Sequence, residues 1–336
     1  MSVTDWLIDA DPAIRWQALR DLTDAPPTDV AAERARVATE GWGAQLLALR
    51  DPDGQWAGGA CFPGRSFIEA RQAARAASDA QAEPATEDDS EGDKAQPWIS
   101  TLPTLQLLQN LGVDPQASSM RETIGLIAKN CRWEYDDLPY FDGEVEPCIN
   151  GRTVAQGAYF GQDVAGIVDR LLGDQLEDGG WNCATEQGST RSSFHSTIDV
   201  LEGLLEHERA TGGSAAAVAA RRRGEEYLLE RELIYRKSTG TVVDPTFLEF
   251  SFPTWWHYDA LRALDYFRAV GGSPDPRVAD AVELVRRKQQ SDGRWQLDYL
   301  HPGLMHFALE DGEGRPSRWV TLRALRVLRW YDAAVA

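Results

Sequence analysis

A seven-residue phrase occurs three times along this chain: Arg50-Asp-Pro-Asp-Gly-Gln-Trp56, Gln175-Leu-Glu-Asp-Gly-Gly-Trp181 and Gln289-Gln-Ser-Asp-Gly-Arg-Trp295. In each copy an aliphatic helical stretch runs into Gln or Arg, Asp-Gly follows, and Trp closes the phrase. Fixed turn chemistry that recurs means one supersecondary unit used repeatedly, so the chain must be read as an array. The Asp-Gly is expected to end a helix, because glycine supplies the positive φ that a C-terminal turn often needs. Gln and Trp are then expected to cap and cover that helix end, which leaves carbonyls without partners. The phrase therefore predicts architecture, not chemistry.

Between the phrases two kinds of helical segment alternate. Six begin near an aromatic residue, Pro or Arg and run as Leu-x-x-Leu: 12–22, 98–111, 150–160, 194–205, 255–264 and 317–328. Five others, at about 29–49, 115–131, 163–175, 216–233 and 276–290, place apolar residues three and four apart with charges between, as half-exposed helices do. Residues 71–96 fall outside this pattern. They hold no large apolar residue and cannot bury enough surface to offset ordering entropy, so they are expected to form a disordered acidic insert. The expectation is one all-α domain over 1–336, with six inner and about five outer helices and that insert within it.

Charge narrows the partners. The formal net charge is −19, from 53 acidic and 34 basic residues, and phosphate backbones are bound by basic patches, so nucleic acid is not an expected partner. No segment approaches the ~20 apolar residues that cross a bilayer. The N-terminal residues lack a basic stretch followed by an apolar core, and a cytoplasmic location is the expectation. Four irregularly spaced cysteines do not make a disulfide framework.

Alternating helices joined by a Gln-x-x-Asp-Gly-x-Trp phrase resemble the squalene–hopene cyclase and protein prenyltransferase β-subunit superfamily, whose QW repeats the phrase matches. The resemblance implies an α/α toroid: inner helices line a central cavity, and outer helices surround them. It also implies a terpenoid cyclase- or prenyltransferase-like enzyme acting on a small apolar, isoprenoid-like molecule. The Asp-x-Asp-Asp acid of protonating cyclases is absent, because Glu87-Asp-Asp89 has the wrong spacing. Asp136-Asp137 with Asp142 likewise fails the Asp-Asp-x-x-Asp pattern of ionising synthases. A non-catalytic toroid that binds a ligand or partner is the alternative.

In a toroid the starts of the inner helices converge on one mouth. Cys148, Cys183, His195 and His257 lie at or just before such starts, and two thiols with two imidazoles form a reasonable tetrahedral zinc set. Zinc held by some of them is the one cofactor expected. Asp142, Glu144, Arg152 and Glu186, in the same loops, are candidates for acid–base work or for meeting an anionic group. Trp98, Phe194, Trp255, Trp256, Trp319 and His306 are candidates for lining the substrate cavity.

Overall fold

A computed structural model describes residues 2–79 and 96–335. Among the described residues the regular structure is helical, with only isolated β-bridges beside it. Six helices form an inner ring: α2 (Pro12–Leu22), α6 (Thr101–Leu111), α8 (Pro147–Tyr159), α10 (Phe194–Thr211), α12 (Ala260–Val270) and α14 (Arg318–Val335). Each packs on the next, and α14 packs back on α2 to close the ring. The α2–α6 contact is polar: Trp16 Nε1 donates to Leu111 O at 2.9 Å and Gln17 Nε2 to Asn110 O at 3.0 Å. The protein is thus an all-α toroid.

The remaining helices cover the ring's outside. They are α1 (Val3–Ile8), α3 (Pro27–Arg36), α4 (Gly41–Ala48), α5 (Arg65–Asp79), α7 (Ser118–Asn130), α9 (Ala165–Gly173), α11 (Ala215–Leu229) and α13 (Ala279–Arg287). The expected outer helix at 29–49 is therefore two helices. The break falls at Gly41, whose φ of +62° does not continue a helix, and Asp11 Oδ2 accepts the Trp42 N–H there. The expected insert at 71–96 is helical over 71–79, as the end of α5, and residues 80–95 lie outside the described residues.

The recurring phrase builds the same joint three times. Trp56, Trp181 and Trp295 are fully buried, and their Nε1 atoms donate to Leu46 O, Leu171 O and Val285 O, each at 2.7 Å. Each acceptor belongs to the end of an outer helix, where carbonyls lack helical partners. The backbone N–H of each Trp donates to a threonine in the next inner helix: Thr101 at 3.3 Å, Thr197 at 3.1 Å and Thr321 at 3.0 Å. Gly54, Gly179 and Gly293 take the positive φ of the turn. Burying an indole removes 150–250 Å² from water, about 4–6 kcal/mol at ~25 cal/mol/Å² before entropy is charged.

One expectation about the later helices changes. The fifth inner helix begins at Ala260, not at Trp255, because Asp259 is its cap and accepts the Arg262 N–H at 2.7 Å. Trp255, Trp256, His257 and Tyr258 therefore lie in the loop before it. The arginines of the last inner helix are spent on ring closure. Arg326 pairs with Asp265 and reaches Gln17 Oε1 at 3.1 Å, Arg329 donates to Asp21 O at 3.0 Å, and Arg318 donates to Asp9 O at 2.6 Å. Short α1 covers part of the seam, with Trp6 under the guanidinium groups of Arg294 and Arg318.

The start of α14 also carries a pH-sensitive joint. Ser317 caps the helix by accepting from Val320 N–H at 2.9 Å and donates to Glu310 Oε1 at 2.5 Å. Burial pushes the Glu310 carboxyl up to about 7 from its ordinary 4.5. A raised carboxyl pKa means that its contribution to stability is complete below about pH 4.5 and is lost as pH rises through about 7. Between about pH 5 and pH 8 the loss from this group amounts to up to about 3 kcal/mol. Urea denaturation of Glu310→Gln at the two pH values is expected to show a flatter dependence than the parent.

Candidate functional site

Two cavities occupy the bore, one at each end of the inner helices. The cavity at their N-terminal ends, the upper one, has a volume of 640 Å³, within the size range of small-molecule sites. Its apolar wall includes Phe62, Trp133, Ile149 and Trp256, and its polar wall includes Glu146, Cys148, Cys183 and His195. The lower cavity, of 430 Å³, is lined by Asp199, Glu202, Arg262, Asp265 and Arg326 among others. The lower part of the bore is therefore rich in paired charges, with Trp16, Leu205, Phe252 and Trp319 among them.

Cys148 and Cys183, 35 residues apart, meet in the upper cavity because α8 and α10 run side by side. Cys148 lies in the first turn of α8, and its backbone N–H donates to Cys183 Sγ at 3.4 Å. Ser196, in the first turn of α10, donates its hydroxyl to the same sulfur at 3.3 Å. The positive ends of two helices thus converge on Cys183. The Cys148 thiol beside it, with these donors, lowers the Cys183 pKa, while the same contact and burial raise that of Cys148 well above the usual value. Of the two, Cys183 is the more acidic thiol and Cys148 the less acidic. Cys61 and Cys131 contrast with them, since burial pushes both to about 12 and leaves them inert.

The third member of this cluster is Glu146. Its Oε2 lies 3.6 Å from Cys148 Sγ, and ligand atoms of Glu146, Cys148 and Cys183 all lie within 4.8 Å of one another. Two thiols and a carboxylate suit zinc, with a fourth position left open. The Cys148 N–H and the Ser196 hydroxyl would act as the outer hydrogen bonds that orient metal-bound sulfur. The signal was present in sequence as Glu146-Pro147-Cys148, a carboxylate two residues before a thiol at a helix start.

His195 and His257 do not join the cluster, which corrects the expected four-residue set. His195 Nδ1 accepts the Tyr258 N–H at 2.9 Å, so the ring proton sits on Nε2 and the neutral ring offers the cavity a donor, not a lone pair. Burial lowers its pKa to about 4, which keeps it neutral. His257 is stacked between Trp256 and His301, with ring centroids 3.7 Å and 3.5 Å away. Burial, with the neighbouring His301, takes its pKa down to about 3.

The other candidates are dispersed. Asp142 and Glu186 are exposed and line neither cavity, whereas Glu144 and Arg152 line the upper one. Glu144 Oε2 accepts the Glu146 N–H at 2.7 Å and so fixes the turn into α8. Of the aromatic set only Trp256 faces the upper cavity. Trp98 stacks on Trp255 at 4.8 Å, and Phe194 packs among Tyr227, Phe247 and Tyr258, so these are core. Trp319 stacks on Phe252 at 4.3 Å and lines the lower cavity. His306 Nε2 is held by Thr104 Oγ1 at 2.9 Å, outside both cavities. Among the described residues no helix is long and apolar enough to cross a membrane.

No protein-family model matches this chain, and no curated protein matches it. Among solved structures it is similar to the apo form of the type II terpene cyclase MstE from Scytonema, with 16% identity and a TM-score of 0.35 over 92% of this chain and 99% of that one. A single-residue variant of MstE matches with the same identity and score over 90% of this chain and 97% of that one.

Proposed function

We propose that this protein is a zinc-dependent enzyme acting on an apolar, isoprenoid-like molecule in the upper cavity, in the manner of a terpenoid cyclase or prenyltransferase. The observation that carries this reading is the convergence of the Glu146 carboxylate and the Cys148 and Cys183 thiols on one wall of a 640 Å³ cavity. Zinc bound there would supply Lewis acidity, or would activate a nucleophile, at its open fourth position. Glu146, Cys148 and Cys183 would hold the ion. The Cys148 N–H and the Ser196 hydroxyl orient the Cys183 sulfur and favour its deprotonation on metal binding. His195, fixed by the Tyr258 N–H, presents its Nε2–H as a donor to a substrate oxygen or leaving group. Phe62, Trp133, Ile149 and Trp256 desolvate the apolar part of the molecule.

Metal analysis of the purified protein after dialysis against micromolar zinc tests this. Stoichiometric zinc is expected in the parent, its loss in Cys148→Ala and Cys183→Ala, and weaker retention against a chelator in Glu146→Gln. His195→Asn is expected to keep its zinc. A parent protein without bound zinc would sink the reading, as would a His195→Asn variant that loses metal as fully as the cysteine variants.

A further inference from the structure

Arg152 is the buried charge that the zinc reading does not use. It lies on α8, one turn beyond Cys148, and lines both cavities at the waist of the bore. It is only 5% exposed, yet among the described residues no carboxylate lies within ion-pair distance of its guanidinium. Among the described residues its one hydrogen bond runs from Nε to Cys148 O at 3.4 Å, which leaves the Nη donors without a partner there. Asp199, the nearest carboxylate by its effect on Arg152, gives Oδ1 to Arg262 at 2.6 Å, and its Oδ2 has no partner. Buried guanidinium groups are ordinarily paired with acceptors that match their planar fork. Uncommitted donors at the floor of a cavity therefore point to a ligand group that supplies those acceptors.

The surroundings select the ligand's charge and direction of entry. The upper cavity collects helix N-termini, whose partial positive charge favours an anion. The lower cavity collects helix C-termini, where side chains already serve the free carbonyls: Arg34 Nε donates to Gly112 O at 2.9 Å, and Gln17 Nε2 to Asn110 O at 3.0 Å. A dianionic phosphate or a diphosphate at the upper floor would meet one guanidinium and the Glu144 and Glu146 carboxylates on the wall. A single guanidinium fork matches a single carboxylate, which it binds through two parallel hydrogen bonds.

We propose that the molecule taken by the upper cavity is a monocarboxylic acid with an apolar tail, bound carboxylate-first on Arg152. The tail then lies along Trp133, Ile149 and Trp256, and the Glu146–Cys148–Cys183 wall faces the part of the chain above the carboxylate. This rests on the upper cavity being the substrate site, but it does not require zinc to be bound.

Calorimetric titration with farnesoic acid, its methyl ester and farnesyl diphosphate tests the proposal on the zinc-dialysed protein. The acid is expected to bind at least tenfold more tightly than the ester, and the diphosphate no more tightly than the acid. Arg152→Gln is expected to weaken the acid roughly 10–100-fold, as loss of a charge-assisted pair does, while leaving the ester unchanged. Arg152→Lys should restore part of the loss. Zinc content should be the same in all three proteins, which separates failure here from failure of the metal reading. Equal binding of acid and ester, no binding of either, preference for the diphosphate, or an acid affinity indifferent to Arg152→Gln would each overturn the proposal.

Discussion

Gly151→Ala is expected to cost about 3–5 kcal/mol of folding stability, an unusually large effect for adding one methyl group. Helices α8 and α10 cross at their closest through two glycines. A Cβ on Gly151 would stand 2.6 Å from the backbone carbon and oxygen of Asp199, and one on Gly203 would stand 2.3 Å from Gly151 O. Real Cβ atoms do not approach backbone this closely, and backbone inside two packed helices cannot step aside as a flexible side chain can. The helices would have to separate. That separation would also break the contact between Cys148 N–H and Cys183 Sγ, so the zinc binding proposed for this wall is expected to weaken along with stability. Gly125→Ala in α7 and Gly166→Ala in α9 are controls, since an added Cβ meets nothing within 4 Å at either position. Each is expected to stabilise by about 0.5–1 kcal/mol, the ordinary gain of replacing an exposed helical glycine. Guanidinium-chloride denaturation of the three variants and the parent measures this, and a Gly151→Ala loss within 1 kcal/mol, in the range of ordinary surface changes, would refute the close-crossing argument.

The ring was legible because its signals are local. The Trp phrase places turn residues at fixed offsets, and Trp56, Trp181 and Trp295 make the same bond to the carbonyl ten residues earlier, at 2.7 Å each time. A repeated local geometry leaves a repeated local sequence. The fifth inner helix was misplaced because the aromatic run Trp255-Trp256-His257-Tyr258 looks like the start of a buried helix. The cap at Asp259, followed by apolar residues, was the better signal. The site was legible only in part. Cys148 and Cys183 lie at the starts of neighbouring inner helices or just before them, so their meeting follows from the ring. His195 was set aside by a hydrogen bond from Tyr258, 63 residues away, which decides the tautomer and has no local signature. The charged centre was not legible either. Asp199, Arg262 and Asp265 each read as one polar residue on a helix, and only closure of the ring turns them inward to face one another.

That charged centre carries the second large effect. Arg262→Met is expected to lose about 3–5 kcal/mol, the cost of leaving a buried carboxylate without its partner. Arg262 donates to Asp199 Oδ1 at 2.6 Å and to Glu202 Oε2 at 2.6 Å, and its Nη1 holds His257 O at 2.8 Å. The Asp199 side chain is wholly inaccessible and that of Arg262 is 2% exposed, so water cannot replace either partner. Burial already raises the Asp199 carboxyl to about 6 with Arg262 present. Without the guanidinium, burial acts unopposed by its nearest cation and drives the carboxyl higher still. The deficit of Arg262→Met should therefore be largest at alkaline pH and should shrink as acidification protonates Asp199, the direction that a raised folded-state pKa requires. Asp199→Asn alone leaves Arg262 paired with Glu202 and is expected to cost less than Arg262→Met. The double variant, which buries no unpaired charge at this pair, should recover part of the loss, so the two effects should fall short of additivity by more than about 1 kcal/mol. Denaturation of the parent, both single variants and the double variant at two pH values measures that coupling. Additive losses independent of pH would show that Arg262 acts through packing, with its charge incidental to how the ring is held together.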